Sequence, residues 1–419
     1  MRPLTLQIHH NQRGWLDAAT IQFVANGGAR LEYDIDYVAE FVGHDDRFAL
    51  SVAFPVDLKI YDGPVPGFIL DLIPQGDPLK RLLRRYGLPD TANFEQILSA
   101  APLAPPGNIR LKEPWTEIEA GRPDYRGSGF TRADVVERER DFIDYMESAG
   151  APIGGTTGAG GGSPKFLLRE DANGRLHAEG WLEDSRTRRC ILVKLPYTDS
   201  ENARMLARVE KVYYDLLRSL PVRAGAAIDI LEDTLFITRF DRTQTGSGQF
   251  LYHGLESLYS AHNINVHGAL LKHEDNLRLI GRYSSNVTAD TLEYLSRDIL
   301  NQMLANTDNH GRNTSLLKTE SGITLSPVYD VTAMQFFSGD FISELTRWTP
   351  DLATLEARIK WTANELKLDE TVLRQGLSLL SDSTRQLDGR MKDLGVPEQI
   401  VRKSASRRAK VQSELEAMT

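Results

Sequence analysis

The segment Thr307–Asn313 contains side chains that phosphoryl transfer uses. Asp308 and Asn313 stand five residues apart, and Asp330 follows them after a short intervening segment. In phosphoryl transfer one carboxylate orients the attacking hydroxyl, while a carboxamide and a second carboxylate hold magnesium. The residue types and their spacing therefore predict catalytic roles for all three, with Asn313 and Asp330 as the metal ligands.

Asn, Asp, Gly and Thr are also the usual residues of turns, so a plain polar loop is an open alternative for Asp308 or Asn313 alone. The context favours chemistry. A helical pattern ending near Leu304 leads into the loop, and Ser315–Lys318 and Ile323–Leu325 then flank Ser321-Gly322 as a hairpin. This hairpin would return Asp330 to the side of Asp308. For His310 we prefer a structural hydrogen-bonding role to a chemical one.

The composition is that of an ordinary globular protein. The chain has 419 residues, enough for two or three domains, with 41% apolar and 26% charged residues. A net charge of −9 argues against a protein that coats nucleic acid along its whole surface. The single cysteine, Cys190, excludes an internal disulfide, and no apolar run has the length of a signal peptide or a membrane span. We expect a cytoplasmic protein without membrane association.

The first part of the chain predicts a small separate unit. Residues 1–60 alternate apolar and polar positions, which indicates an antiparallel sheet with strands at Thr20–Val24, Arg30–Tyr33 and Phe48–Val52. Phe68–Pro74 and Leu79–Tyr86 change to a helical period. The proline-rich Ala101–Gly107 can continue neither a helix nor a central strand. We therefore predict a first unit over residues 1–105.

A glycine-rich run follows a helix predicted over Asp134–Met146. Six of the nine residues from 154 to 162 are glycine, and Lys165 and an apolar strand come directly after them. Glycine lets the backbone approach a phosphate closely, although a flexible linker has a similar composition. The position between helix and strand favours a phosphate-binding loop, whose nucleotide-contacting residues would be Gly158, Gly160, Gly161, Gly162 and Lys165. Neither a Walker A loop nor a complete dinucleotide fingerprint is present.

Lys194 lies inside the apolar strand Cys190–Pro196. Its ammonium group could reach solvent at a sheet edge, but after a phosphate-binding loop the phosphates of a nucleotide are the better partner. Glu201 or Glu210 of the following helix could pair with it, and the sequence does not choose between them. Two strands then pair across residues 232–234, and residues 241–249 are predicted to form the edge between two lobes. We place the lobes at 106–242 and 243–419.

The last part of the chain is predicted to be mainly helical. The periodic segments are 254–261, 289–306, 351–366, 370–380 and 397–417. The last of them is basic, with Arg402, Lys403, Arg407, Arg408 and Lys410, but Glu398, Glu414 and Glu416 balance it. We interpret it as a solvated helix face rather than a nucleic-acid-binding arm, and expect no direct binding of nucleic acid.

Together these features resemble the HipA-type serine/threonine kinase family, the toxins of bacterial toxin–antitoxin pairs. Thr307–Leu317 and Leu325–Asp330 are similar to its catalytic and metal loops, and these are the most specific matches. The similarity extends to Pro64–Leu83, Ile191–Pro196 and Thr238–Arg242, which correspond to the N-terminal subdomain, the ATP-lysine strand and the hinge. The resemblance implies an α+β fold: a two-lobed, protein-kinase-like structure with a β-rich N-lobe, a helical C-lobe and an extra small N-terminal α/β subdomain.

The resemblance also implies a function and residue roles. The cofactors would be ATP and Mg²⁺, the target a serine or threonine of a protein (an aminoacyl-tRNA synthetase in the best-known members), and the restraining partner a DNA-binding antitoxin. Asp308 would be the catalytic base, Asn313 and Asp330 the magnesium ligands, and Lys194 the phosphate-contacting lysine. His310 and Asp241 would lie near the nucleotide, and the hinge backbone from Thr238 to Phe240 would contact adenine.

Two positions depart from the family pattern. Gly158 stands where the family usually has a serine whose autophosphorylation silences the enzyme, so Thr157, then Thr156, then Ser163 are the hydroxyls that could replace it. Thr238 stands where an acidic residue is common. The unusual loop leaves open a nucleotide-binding pseudokinase that acts as a scaffold, against which the intact Asp308, Asn313 and Asp330 argue. Phosphorylation of a small molecule or a lipid headgroup is a further alternative, because the motifs do not specify the acceptor.

Overall fold

The computed structural model describes residues 2–418 except 25–26, 45, 74–76, 101–105, 122–128, 138–141, 143–145, 147–162, 197, 199, 267 and 337–343. The glycine-rich run lies outside the described residues. The predictions for Gly158, Gly160, Gly161, Gly162, Thr156 and Thr157 therefore stay predictions.

The N-terminal unit is a five-stranded antiparallel sheet with helices packed against it. The strand order across the sheet is Tyr61–Pro64, Gly28–Tyr33, Gly14–Phe23, Leu4–His10 and Ile109–Leu111. The helices are Ile35–Phe41, Ile69–Leu72, Asp77–Arg85, Phe94–Ala100 and Lys112–Gly121. Apolar side chains that alternate along the strands, among them Leu6, Ile21 and Leu31, form its core. The last strand of this sheet follows Ala101–Gly107, so the sheet extends past the boundary predicted near residue 105.

The strand predicted at Phe48–Val52 is wrong. A short 3-10 helix, Asp46–Phe48, and a turn occupy this stretch. The backbone groups that a strand would have paired are bound by side chains of the helical lobe instead. Lys318 Nζ donates to Ala49 O at 3.0 Å, and Val52 N donates to the Glu256 carboxylate at 3.1 and 3.2 Å. Buried backbone groups need partners, but these partners are distant in sequence.

The N-lobe contains a second five-stranded antiparallel sheet. Its order is Leu176–Ala178, Lys165–Asp171, Thr187–Lys194, Thr234–Thr238 and Asp229–Leu231. The first two strands form a hairpin at Asn173-Gly174, where Gly174 has φ +75°. The helix Glu201–Leu217 packs on the sheet and begins at Ser200, whose hydroxyl accepts from Ala203 N at 3.3 Å. Arg132–Val136 begins the helix predicted from residue 134.

The C-lobe is mainly helical. Its helices are Leu258–Ala261, His273–Tyr283, Val287–Met303, Leu355–Leu366, Glu370–Thr384, Leu387–Asp393 and Glu398–Glu416. Val287–Met303 runs through the largest hydrophobic core. Strands Gly254–Ser257, Ser315–Thr319 and Gly322–Leu325 form a sheet beside it, and the last two are the predicted hairpin. The short strand pairs are Arg242–Gln244 with Phe250–Tyr252 and Leu271–Lys272 with Thr346–Arg347; 3-10 turns lie at Asp184–Arg186, Met334–Phe336 and Pro350–Leu352.

Three helix predictions in this lobe need correction. Of the segment 254–261 only Leu258–Ala261 is helical, because Gly254–Ser257 pairs with Ser315–Thr319 as a strand. The helix predicted from 351 begins at Leu355, and His273–Tyr283 was not predicted. In the basic last helix Arg408 does not face solvent, since it is buried and pairs with Asp388.

The predicted α+β class is confirmed: a β-rich lobe and a helical lobe follow an N-terminal α/β unit. Within the described part of the chain, no helix combines the length and the apolar character needed to cross a membrane.

Candidate active site

Lys194 is the last residue of the strand Thr187–Lys194, and its side chain is buried. Its Nζ donates to Glu210 Oε2 at 2.6 Å and also bonds Asp330 Oδ1. Of the two alternatives that the sequence left open, Glu210 is thus the partner. Glu210 lies on the buried face of its helix, whereas Glu201 is exposed and pairs with Arg208 at 3.0 Å. Lys194 therefore turns inwards, into the molecule.

Asp330 lies between two lysines. Lys165 stands opposite Lys194 in the sheet register, and its Nζ is 3.2 Å from Asp330 Oδ2. Burial alone would raise the pKa of Asp330, but the ammonium groups of Lys165 and Lys194 hold it well below its ordinary value. Asp330 also has φ +57°, a left-handed conformation that is uncommon for residues other than glycine and that often marks functional sites.

The side-chain nitrogen of Asn313 is fixed by a hydrogen bond, whereas its side-chain oxygen accepts none from a described residue. Its Nδ2 donates to Asp308 O at 2.8 Å, which aims Oδ1 in a defined direction. Asn313 Oδ1 is buried, and no described residue donates a hydrogen bond to it. A buried, unpaired acceptor calls for a missing partner, and carboxamide and carboxylate oxygens are hard ligands of the kind that Mg²⁺ binds. Asn313 Oδ1 and the Asp330 carboxylate therefore fit a magnesium ion chemically.

Asp308 and His310 contact each other at the start of the loop. Arg312 N donates to His310 Nδ1 at 3.1 Å, so the neutral ring carries its proton on Nε2, which is 3.4 Å from Asp308 Oδ1. Burial lowers the pKa of His310 and raises that of Asp308. The N–H of the neutral His310 ring is thus on the nitrogen nearer to Asp308, but within the described part of the chain Nε2 forms no hydrogen bond.

Tyr329 joins the two predicted loops. Its hydroxyl donates to Arg312 O at 2.6 Å and shares a hydrogen bond of 2.6 Å with Ser315 Oγ. Its side chain lies between the cleft that holds Lys194 and Asp330 and a polar cavity that holds Asp308, His310 and Asn313. Lys165, Lys194 and Asp330 on one side and Asp308, His310 and Asn313 on the other therefore line two cavities that share Tyr329.

The cleft between the lobes has mainly apolar walls and several charged groups, a composition typical of cofactor sites. Leu167, Leu192 and Ile237 line it from the sheet, and the predicted hinge residues Thr238, Phe240 and Asp241 line it beside them. The carboxylate of Asp241 is already occupied, because it accepts from Arg239 Nη2 at 2.6 Å, Arg242 Nη1 at 3.0 Å and Gly107 N at 2.7 Å. Asp241 therefore anchors the hinge. Ser163, the described member of the three candidate hydroxyls, is half-buried two residues before Lys165.

The sequence analysis did not identify several residues of this cleft. Asp71, Leu72 and Ile73 of the N-terminal unit line it, and so does Arg312 of the catalytic loop. Asp71 lies in an ordinary helical pattern with no local signal of function. Arg312 could have been noticed, since an arginine within a loop of catalytic side chains needs an acidic partner if it is buried.

Comparison with known proteins gave one family match and several similar solved structures. The model of the HipA-like C-terminal domain family matches residues 157–386, more than half of the chain. No curated protein matches the sequence. Among solved structures, HipA from the Shewanella oneidensis MR-1 toxin–antitoxin complex of HipA, HipB and operator DNA is similar, with a TM-score of 0.63, 18% identity and coverage of 99% of this chain and 96% of that one. The Helicobacter pylori proinflammatory kinase CtkA gives a TM-score of 0.36 and 13% identity, over 61% of this chain and 95% of that one.

Proposed function

The chain belongs to the family of HipA-like C-terminal domains and has a protein-kinase-like fold, and on this premise we propose that it is an ATP-dependent serine/threonine protein kinase. The observation that carries the proposal is the position of Lys194 between Glu210 and Asp330. In protein kinases a strand lysine, oriented by a helix glutamate, contacts the α- and β-phosphates of ATP beside a metal-binding aspartate.

Each polar residue of the site has a role in this proposal. Asp308 accepts a hydrogen bond from the acceptor hydroxyl and aligns its oxygen with the γ-phosphorus, while His310 orients the Asp308 carboxylate. Lys194 and Lys165 bind phosphate oxygens, and Glu210 keeps Lys194 in place. Asn313 and Asp330 would hold a magnesium ion, which when bound would neutralise charge on the phosphoryl group. Positioning and electrostatic stabilisation supply most of the catalysis of phosphoryl transfer, so a rigid polar site of this kind suffices.

The proposal assigns the remaining cleft to the nucleotide. The apolar side chains of Leu167, Leu192 and Ile237 line the cleft and would contact the adenine ring, and the backbone from Thr238 to Phe240 would offer it hydrogen bonds. The glycine-rich run 154–162 stays the predicted phosphate-binding segment. We also propose self-regulation through this run, by phosphorylation of Thr157, Thr156 or Ser163. A phosphate there adds about −1.5 to −2 charges beside the site that holds the phosphates of ATP and opposes nucleotide binding.

We propose a protein as the phosphate acceptor and a DNA-binding antitoxin as the partner. The acceptor would be an aminoacyl-tRNA synthetase or another translation component, which places the reaction in the cytoplasm. The support for the partner is that the Shewanella oneidensis HipA was solved together with HipB and its operator DNA.

The test is transfer of label from γ-labelled ATP in the presence of magnesium and a bacterial lysate. Label on a protein band, lost when EDTA removes the magnesium, is the expected result. Label in the small-molecule or lipid fraction would show a different acceptor class. A protein that binds ATP but transfers no label to any fraction would be a scaffold and would overturn the proposal.

A further inference from the structure

Arg312 connects the catalytic loop to the N-terminal unit. Its side chain is only 2% exposed, although it belongs to a loop. Its Nη2 donates to Leu70 O, and its Nε lies 3.5 Å from Asp71 Oδ1. Leu70 and Asp71 belong to the helix Ile69–Leu72, about 240 residues earlier in the chain. The loop that carries Asp308 and Asn313 is therefore held from outside the two lobes.

Asp71 also binds the segment that supports the other side of this loop. Its Oδ2 accepts from Ser257 N at 2.9 Å, and its Oδ1 accepts from Ser257 Oγ at 2.7 Å. Ser257 begins the helix Leu258–Ala261, where Leu258 N donates to Thr314 O at 3.0 Å and Tyr259 N donates to Gly311 O at 3.3 Å. One carboxylate thus joins the N-terminal unit to the catalytic loop by two routes.

The charge of Arg312 makes Asp71 necessary. Burial lowers the pKa of Arg312, which shows how poorly its surroundings solvate the guanidinium. Among the described carboxylates, that of Asp71 is the one within ion-pair distance. Removing one partner of a buried pair leaves an uncompensated charge, which is far more costly than losing a surface pair. Without Asp71, Arg312 would have to leave its place, and Asn313 is its direct neighbour.

The helix that carries Asp71 is fixed on the C-lobe by close backbone packing. A Cβ added to Gly67 would lie 2.7 Å from Ile264 N, so only glycine allows this approach. Gly67 N donates to Asn263 Oδ1 at 2.8 Å, and Asn265 Nδ2 donates to Val65 O at 2.7 Å. These contacts bring the N-terminal unit to the edge of the cleft, where it forms part of the wall.

We propose that the N-terminal unit is a working part of the kinase site, and that Asp71 is a positioning residue that holds the catalytic loop through Arg312. The inference rests on the proposed kinase function and adds to it a requirement for a residue outside both lobes. Asp71 lines the cleft, but both oxygens of its carboxylate are bound by Ser257 and Arg312, so it acts through these residues and not on the substrate. Its removal should therefore lower kcat and leave the KM for ATP nearly unchanged.

The variants Asp71→Asn, Arg312→Gln and their combination test this coupling by steady-state kinetics. We expect Asp71→Asn to lower kcat by roughly 10- to 100-fold, since a misplacement of about 1 Å can cost that much. The double variant should be no slower than the slower single variant, because both changes remove the same interaction. If the loss of kcat in the double variant equals the product of the losses in the two single variants, the inference is overturned.

Asp290→Asn is a matched control. Asp290 is a buried carboxylate with the same kinds of partner as Asp71, namely an arginine (Arg223), a backbone amide (Leu325 N, 3.0 Å) and a serine hydroxyl (Ser284 Oγ, 2.5 Å). None of these partners belongs to Thr307–Asn313, although Leu325 is the first residue of the segment that leads to Asp330. The control should therefore lower the melting temperature and leave amide exchange in Thr307–Asn313 unchanged. Equally faster exchange of this loop in Asp290→Asn and Asp71→Asn would reduce the role of Asp71 to general stability.

Amide hydrogen exchange decides the inference independently of activity. Without ATP, Asp71→Asn should speed exchange in peptides covering 306–316, and Asp290→Asn should not. If the wild-type protein transfers no phosphate, the proposed function fails, and loop exchange alone then judges the role of Asp71. Unchanged loop exchange in Asp71→Asn would contradict it. If Asp71→Asn does not fold, the double variant, which lacks both charges, is compared with Arg312→Gln instead. Equal amide exchange of the loop in these two variants supports the inference. Faster exchange in the double variant contradicts it.

Discussion

Lys165 and Lys194 stand directly opposite each other in neighbouring antiparallel strands, and both ammonium groups contact the carboxylate of Asp330. Like charges placed opposite each other in a sheet repel, so this pair requires counter-charges. Asp330 supplies one from the C-lobe, and Glu210, which forms a hydrogen bond with Lys194, supplies a second. Lys194 therefore forms ion pairs with both carboxylates, whereas Lys165 contacts Asp330.

Replacing each lysine by methionine should separate these contributions to stability. Lys194→Met removes the hydrogen-bonded cation of Glu210 and one of the two cations of Asp330, and should lower the free energy of unfolding by about 3–5 kcal/mol. Lys165→Met leaves the pair of Lys194 and Asp330 intact and should cost roughly 1 kcal/mol. Urea denaturation without ATP measures both. Equal losses would show that the cluster does not depend on Lys194 in this way.

Glu210→Gln and Glu201→Gln, two changes in the same helix, should have different effects on phosphate transfer. Glu210 orients Lys194, so its neutral form should slow transfer by roughly 10- to 100-fold through misplacement of the ammonium group. Glu201 forms an exposed pair with Arg208, and such pairs contribute little. Initial rates of label transfer at saturating ATP are the measurement. Comparable rates in the two variants would remove Glu210 from the site.

The parts of this site that are contiguous in sequence could be predicted, and the parts that depend on docking could not. Asp308, Asn313 and the hairpin that leads to Asp330 lie within one short stretch, where spacing and turn residues carry the information. The choice of Glu210 over Glu201 depends on which helix face packs on the sheet. That face is set by tertiary contacts and not by local sequence.

The same distinction explains the errors in the fold. Phe48–Val52 has a strand-like pattern, but side chains of the C-lobe bind its backbone. Gly254–Ser257 follows a helical pattern and becomes a strand because Ser315–Thr319 offers a free edge. Nothing in the sequence indicated that Asp71 is the acidic partner of Arg312, since the two residues come from different units of the chain. In each case a long-range partner overrides the local preference.

Asp308→Asn should stabilise the protein at neutral pH while it removes activity. Burial raises the pKa of Asp308, so above that pKa the charged carboxylate lowers the stability of the folded wild-type protein. The asparagine variant avoids this cost. The gain in stability over wild type should be complete above the pKa of Asp308 in the folded protein. It should disappear as the pH falls below the pKa of an unfolded aspartate, where Asp308 is protonated in both the folded and the unfolded state. Melting curves of the variant and of wild type over this pH range measure the gain. A stability difference in favour of the variant that is smaller at pH 7 than at pH 4 would contradict the prediction.

The most direct test of the proposed kinase is the rate of label transfer from γ-labelled ATP to protein by wild type and by Asp308→Ala, with ATP binding measured by calorimetry on the same samples. We predict that Asp308→Ala binds magnesium and ATP as wild type does, melts no lower, and transfers phosphate about 10²- to 10⁴-fold more slowly, the range for loss of a positioned catalytic base. Full transfer activity in a folded Asp308→Ala protein would contradict the assignment of this site.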